Sequence, residues 1–456
     1  MTVRQNSNLR VVLLSEVFCR NMGYLENMLP KSLARLGVEV HVLATDLPPG
    51  YRQKSPADLY EGFLQSWQPG TAQTSDGFTL HILGHKQVLG HVRIAGLREK
   101  LRELSPAIVQ TMTPIGWIAL DAACSKLSRG YKLFTGCHHH ASVFPLASRT
   151  APIWSAARLR CLAVRTLPGR LVSLATEKCY AITADCAGVA SRFFGVPRCK
   201  IEISPLGVDT EIFHRARGTR EVVNQAALRR KLGFSDSDIV CIYTGRFTKD
   251  KNPLLLANAI AQLQAAGKSF RGLFLGNGPQ AAEIQKCPGN VTHPFEPVHE
   301  LGVFFRAADI GVWPAQESLS MLDAAACGLP IIVNHTMSAP ERISGNGLTY
   351  RLNDLDDLIR ALLDLQNSLR RREMGAIGAE RMAREFSWDS IALRRLSDYE
   401  TALHSRSCAP ESSLGGRSFE GTIIRGKANT TGFRQQESGD DGHQIRTERN
   451  RTDCHP

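Results

Sequence analysis

Apolar and polar positions along the chain fall into blocks that predict strands and helices in turn. Residues 9–15 contain Val11-Val12-Leu13-Leu14, an unbroken apolar run of strand length. A polar turn at 18–24 carries a single glycine, Gly23. Residues 25–36 then read as a helix stopped by Gly37, and 38–43 as the next strand. Strand, helix, strand is the opening of a parallel α/β sheet. Residues 51–76 are polar and aperiodic, an inserted loop. Further strands are predicted at 78–83, 107–110, 132–135, 180–183 and 201–203, with a helix at 186–194. A second α/β series starts at 239–243, continues through a helix at 253–266 and a strand at 273–275, and closes with helices at 355–365 and 388–403.

Within that second series, residues 310–333 form a unit that organises the reading. Ile310-Gly311-Val312-Trp313-Pro314 is a strand, Leu322 to Cys327 a short helix stopped by Gly328 and Pro330, and Ile331-Ile332-Val333 another strand. Between the first strand and the helix lies Glu317-Ser318-Leu319-Ser320-Met321, and Asp323 sits in the first helical turn. Ligands of parallel sheets bind beyond the carboxyl ends of the strands. Backbone N–H groups at a helix start suit phosphate, and carboxylates suit sugar or ribose hydroxyls. On the local pattern alone, an ordinary βαβ unit with two solvated acids fits equally well.

Composition narrows the class. At 456 residues the chain calls for two domains plus extras. Its 43% hydrophobic and 21% charged content suits a globular enzyme, and no apolar run approaches the roughly 18 residues of a membrane span. Glu16 interrupts the first apolar run too early for a signal peptide, which favours a first strand. Twelve scattered cysteines, with no C-x-x-C pair, point to free thiols in a reducing cytoplasm.

The net charge of +12 is concentrated. Between His85 and Lys178, fourteen Lys/Arg face four acids, a local surplus of +10. That surplus implies an anionic partner, lipid headgroups among them, or simply a solvated basic surface. No helix-turn-helix, RNA-binding or zinc-finger signature supports nucleic acid. Residues 152–174 are apolar with interleaved Arg158, Arg160, Arg165 and Arg170. They do not fall on one face of a regular helix, so a plain domain helix is favoured over an amphipathic surface helix. Cys137-His138-His139-His140 follows a strand, where a histidine can reach a ligand. Adjacent histidines on one loop cannot all face one ion, so no metal site is expected there. From about residue 405 the composition turns to Gly, Ser, Thr, Asn, Gln and Arg, as in a disordered tail.

Several motifs then occur in a recognisable order. Pro205-Leu206-Gly207-Val208-Asp209 with Phe213, Gly245-Arg246-Phe247 with Lys251-Asn252, Gly276-Asn277-Gly278-Pro279, Glu317-Ser318 through Asp323-Ala324 to Ala326-Cys327-Gly328-Leu329-Pro330, and Phe386-Ser387-Trp388 with Tyr399 together resemble the retaining glycosyltransferases of family 4. The resemblance runs through most of residues 9–403 and is strongest after residue 200. It implies the GT-B fold, in which two Rossmann-like domains face each other across a cleft. The domains would span 1–205 and 206–385, with a crossover helix at 386–404 returning to the first domain and a tail at 405–456.

The same resemblance implies roles. Arg246 and Lys251 would hold the donor diphosphate. Glu317 would contact the donor sugar, with Ser318 and the backbone of Leu319, Ser320 and Met321 beside it, and Asp323 would bind the ribose hydroxyls. His138 would lie near the donor sugar, and Gly23 in a loop approaching the phosphates. Five residues separate Glu317 from Asp323 where the family has seven, so the donor loop is shortened. The expected activity is metal-independent transfer, with retention, from a nucleotide sugar to a sugar or lipid-linked acceptor. No cofactor is expected beyond the donor, and the first domain would sit peripherally at the inner face of the cell membrane. A non-catalytic carbohydrate- or nucleotide-binding protein and a sugar-nucleotide epimerase remain as alternatives.

Overall fold

The computed structural model describes residues 9–48, 51, 64–141, 144–148, 155–337 and 342–405. The predicted tail beyond Ser405, part of the 51–76 insert and residues 152–154 fall outside the described residues. In chain order the first half contains β1 (Arg10–Leu14), α1 (Leu25–Arg35), β2 (Glu39–Thr45), β3 (Ala72–Ser75), β4 (Phe78–Leu83), β5 (His85–Val88), β6 (His91–Ile94), α2 (Leu97–Leu104), β7 (Ile108–Thr111), α3 (Trp117–Arg129) and β8 (Lys132–Cys137). There follow α4 (Pro145–Ser148), α5 (Ala156–Cys161), a π-helical turn at Leu162–Thr166, α6 (Leu167–Ala175), β9 (Thr176–Ala181), α7 (Ala184–Phe193) and β10 (Ile201–Ile203).

The second half runs α8 (Gly218–Lys231), β11 (Ile239–Thr244), α9 (Pro253–Ala265), β12 (Phe270–Leu275), α10 (Ala281–Lys286), β13 (Asn290–His293), α11 (Val298–Arg306) and β14 (Ile310–Trp313). It closes with α12 (Ser320–Ala326), β15 (Ile331–Asn334), β16 (Gly347–Tyr350), α13 (Leu355–Asp364), α14 (Ser368–Glu385) and α15 (Trp388–His404).

Two sheets result. The first has eight strands in the order β10-β9-β8-β7-β1-β2-β4-β3, all parallel except the β3–β4 edge pair. The second has six parallel strands in the order β13-β12-β11-β14-β15-β16. Their central strands, Val11 to Leu14 and Ile239 to Thr244, are buried throughout. A strand covered by helices on both faces cannot alternate polar and apolar residues, and the continuous apolar runs follow from that.

In each sheet the chain goes out to one side of a central strand and returns on the other. The order reverses between β1 and β7 in the first sheet, and between β11 and β14 in the second. A crevice opens beyond the carboxyl ends of the strands at such a reversal, and ligands bind there.

The last helix ties the two halves together. Val208 N–H donates to Phe386 O at 2.8 Å and Trp388 N–H to Val208 O at 3.1 Å. Gly207 is pressed against this junction, where a Cβ would lie 2.7 Å from the Trp388 ring. From α15, Tyr399 donates to Gln110 at 2.6 Å, and Asp398 accepts from Lys178 at 2.8 Å and from Tyr180 at 2.7 Å. Arg395 stacks over Tyr180 and donates to Ser204 at 3.0 Å. Buried charge-assisted bonds of this kind fix one register of the helix.

Several elements depart from the sequence expectation. Part of the stretch read as an irregular insert is β3, and β5 pairs with β6 in an antiparallel hairpin. Helices α8, α11 and α14 were not anticipated either. The reading of 152–174 as a plain domain helix is also corrected. The described part, α5 through α6, contains a π turn and leaves Leu159, Leu162, Leu167, Leu171 and Leu174 exposed, Leu174 at 77%.

Candidate functional site

The reversal between β11 and β14 places two loops side by side. One follows β11 and carries Arg246 and Lys251; the other follows β14 and carries Glu317. Lys251 Nζ donates to the main-chain oxygen of Glu317 at 3.1 Å, so the two loops meet. Burial, followed by the charge of Arg246, lowers the Lys251 pKa, while Asp250 and Glu317 act in the opposite direction. Its ammonium is therefore held in a desolvated place by a carbonyl oxygen, with a second cation nearby. Arg246 pairs with Asp250 at 3.2 Å across one turn and remains about one quarter exposed. The two cations therefore stand together after β11, where a diphosphate could meet both.

The loops approach closely because of their glycines. Gly276, after β12, has φ +149°, and a Cβ there would fall 1.9 Å from Gly245 O. Thr244, the last residue of β11, buries a hydroxyl that finds no partner among the described residues. Neither Thr244 nor the Gly245–Gly276 contact stood out in the sequence by itself, since both depend on the register of β11 against β12.

Beyond Glu317 the chain turns tightly into α12. Ser318 and Ser320 hydroxyls lie 3.0 Å apart, and Met321 N–H donates to Ser318 O at 3.3 Å. Leu319 occupies the N-cap position without a side-chain cap. The Met321 side chain is buried, and its Sδ accepts from Ser318 N–H at 3.4 Å. Asp323 is buried on α12, where burial and then the nearby Asp209 push its carboxyl well above the usual carboxylate range. Asp209 is itself neutralised by Lys31 of α1 at 2.8 Å.

In the first half, His138 follows β8 and its ring lies back over Gly136. Burial, with the charges of His139, Arg395 and His140, lowers it to about 4, so it is neutral at physiological pH. His140 differs. A side-chain bond to Asp185, 3.2 Å away, is the largest influence raising it to about 10. His140, Asp185 and Cys186 bring potential ligand atoms within 4.8 Å of one another. Asp185 already accepts from His140, Thr183 and Ala141 N–H, so its oxygens are engaged. Gly23 meets the second half rather than open solvent. A Cβ there would lie 2.9 Å from Val298 Cγ2, and Val298 N–H donates to Asn21 O at 2.9 Å.

Part of the basic stretch is paired among the described residues. Arg93 and Arg98 reach Asp121, Lys100 reaches Glu103, and Lys126 and Lys132 share Glu177. Arg158, Arg160 and Arg170, around the exposed leucines of α5 and α6, make no ion pair among the described residues. No helix among the described residues is long and apolar enough to cross a membrane.

Comparison with known proteins agrees with this geometry. Residues 28–212 match the family model Glycosyltransferase Family 4, and residues 238–368 match Glycosyl transferases group 1. The chain is 30% identical over 207 residues to a GDP-mannose-dependent monoacylated alpha-(1-6)-phosphatidylinositol monomannoside mannosyltransferase of Corynebacterium glutamicum, covering 42% of this chain and 53% of that protein. It spans about half the length of the first curated relatives it matches. Among solved structures, sucrose-phosphate synthase from Thermosynechococcus elongatus superposes with a TM-score of 0.63 at 16% identity, covering 87% of this chain and 100% of that one. Anabaena HepE in complex with UDP-glucose superposes at 0.60 and 12%, with the same coverage. With two tandem family matches across both sheets and a GT-B architecture, the chain belongs to the family 4, group 1 glycosyltransferases.

Proposed function

We propose that this protein moves a hexose from a nucleotide-sugar donor to a sugar or lipid-linked acceptor, with retention at the anomeric carbon. The observation that carries the reading is the convergence of Arg246, Lys251 and Glu317 at the β11/β14 reversal, joined by the bond from Lys251 to Glu317 O at 3.1 Å. When the sugar–phosphate bond breaks, negative charge grows on the departing diphosphate. Arg246 supplies a cation that is never lost to titration, and Lys251 a compact one already desolvated. Preorganised charges aimed at a developing anion lower the barrier more than they tighten the ground state. No metal is needed in this scheme. Glu317 and the serines after it line the sugar side, and Asp323 is assigned to the ribose hydroxyls.

The acceptor side of the reading rests on the surface of α5 and α6. Its exposed leucines step 159, 162, 167, 171 and 174, with Arg158, Arg160 and Arg170 beside them. An apolar stripe flanked by unpaired arginines suits an anionic lipid surface, where a lipid-linked acceptor would be met. The relative from Corynebacterium glutamicum is named for a phosphatidylinositol mannoside substrate, which supports that reading.

The test is turnover of a nucleotide sugar by Arg246→Ala and Lys251→Ala proteins that remain folded. Each loss is expected to cost on the order of 3 kcal/mol, about a hundredfold in kcat/KM. Because both residues face one diphosphate, the double variant should lose less than the two costs added. Wild-type turnover in either folded single variant would remove that residue from the site.

A further inference from the structure

The second sheet has another candidate site, at the end opposite the donor loops. A cavity of about 380 Å³ opens beside the amino ends of β14 and β15, marked by Asp309 and Leu329. Its walls are the linker at Arg215, the end of α11 at Arg306, the turn after α12 at Cys327-Gly328, and the first turn of α14 at Arg371-Arg372. We propose that this cavity is a second anion-binding site, for the phosphate groups of a small phosphorylated molecule, separate from the donor site.

The argument is one of unmatched charge. Four arginines line the cavity and a single acid, Asp309. Asp309 is already committed. It pairs with Arg229 at 2.9 Å and accepts from Val240 N–H at 2.8 Å. Arg306 donates to the main-chain oxygens of Ile212 and His214, at 3.1 and 3.4 Å. Arg371 likewise donates to Leu365 O and Gln366 O, at 2.7 and 2.8 Å. These bonds fix the guanidinium groups in place without neutralising them. Arg215 and Arg372 make no ion pair with a carboxylate among the described residues. Glu221, on a neighbouring cavity that shares Arg306, accepts from Arg217 N–H at 2.5 Å, lies 3.9 Å from His214 and offsets Arg306 only in part. The Cys327 thiol is pushed up to about 12 by burial and adds no negative charge.

Four like charges around one cavity repel unless an anion enters, and guanidinium forks match phosphate oxygens in pairs. The first turn of the 18-residue α14 carries no acid, so its N-terminal field adds to theirs. The site also has a route to the donor loop. It touches the C-terminal end of α12, whose other end, roughly 10 Å away at 1.5 Å per residue, begins just after Glu317.

Inorganic pyrophosphate is the probe, titrated calorimetrically into the full chain. In the Arg246→Ala/Lys251→Ala protein, which lacks the donor cations, one equivalent should still bind. Adding Arg215→Gln and Arg372→Gln to that background should weaken it at least tenfold, while the corresponding Lys pair should retain most of the affinity. Among the described residues neither Arg215 nor Arg372 donates to a backbone carbonyl, and thermal melting checks that the variants stay folded. Absence of saturable binding to the Arg246→Ala/Lys251→Ala protein would overturn the proposal, as would an affinity unchanged by the two glutamines. Should the donor reading fail instead, the wild-type protein would bind one equivalent, and the glutamine pair alone would abolish it.

Discussion

Replacing Gly276 by alanine tests how the fold positions the donor cations. A Cβ at residue 276 would fall 1.9 Å from Gly245 O, where real Cβ contacts stop at 3.0 Å, so the β11 and β12 loops must part by about 1.1 Å. Gly245 directly precedes Arg246, and the displacement therefore passes into the proposed phosphate site. Misplacement by about 1 Å costs on the order of a hundredfold in rate. The φ of +149° adds strain of about 1–3 kcal/mol, since only glycine occupies that region freely. Gly267→Ala is the control. It too has positive φ, +71°, but nothing lies within 4 Å of its Cβ, so it carries backbone strain without the collision. Thermal melting should show both variants destabilised, and kcat/KM of the folded fraction should fall about a hundredfold only in Gly276→Ala. Activity within threefold of wild type in folded Gly276→Ala would refute the link between this contact and the placement of Arg246.

Three further expectations follow from particular residues. Glu26, buried in the first turn of α1, is raised from 4.5 to about 7 by desolvation. Folding therefore takes up a proton, stability falls as pH rises from 4.5 through 7, and the shift is worth up to about 3 kcal/mol above that window. Glu26→Gln should flatten this dependence and stabilise the protein at pH 8, and an unaltered pH–stability profile would count against it. Transfer should persist in excess EDTA, because Arg246 and Lys251 are proposed to carry the phosphate charge; a loss reversed by magnesium would show a cation in that role. Leu171→Glu/Leu174→Glu should abolish sedimentation with phosphatidylglycerol vesicles at low salt and leave turnover of a soluble acceptor analogue intact. Unchanged vesicle binding would move the lipid contact elsewhere.

What was legible in the sequence is what depends on neighbours along the chain. The runs at Val11 to Leu14 and Ile239 to Thr244 announce doubly covered strands, because such strands are apolar at every position. The loops after strands that carry Arg246, Lys251 and Glu317 were legible, their roles came only from the resemblance, and the β11/β14 reversal brings those loops together. The hairpin of β5 and β6 was not, since His85-Lys86-Gln87-Val88 has no apolar face to announce a strand. Nor was α14, whose buried residues are only Gly375, Gly378 and Met382. The contact of Gly23 with Val298, and the upward push of Asp209 on the buried Asp323 carboxyl, belong to pairs far apart in sequence. No local pattern encodes them.

The surface of α5 and α6 shows how a local pattern can mislead. The arginines of residues 152–174 fall on no single face at 3.6 residues per turn, and the leucines too break step, since Leu162 to Leu167 is five residues. On a regular helix that step turns the side chain about 140° away from its predecessor. The π turn at Leu162–Thr166 closes one turn with the extra residue and brings Leu167 back into line. Leu159 to Leu162 before it, and Leu167, Leu171 and Leu174 after it, then step by three or four residues, as one helical face requires. The apolar stripe exists only in the folded geometry. Five leucines exposed along one surface fit the proposed lipid contact. Inserting one alanine within 162–166 makes the step from Leu162 to the next leucine six residues, about 240° on a regular helix, so it should turn the two halves of the stripe apart and weaken vesicle binding. Vesicle binding at wild-type strength in that insertion variant would show that the alignment across the π turn has no part in it.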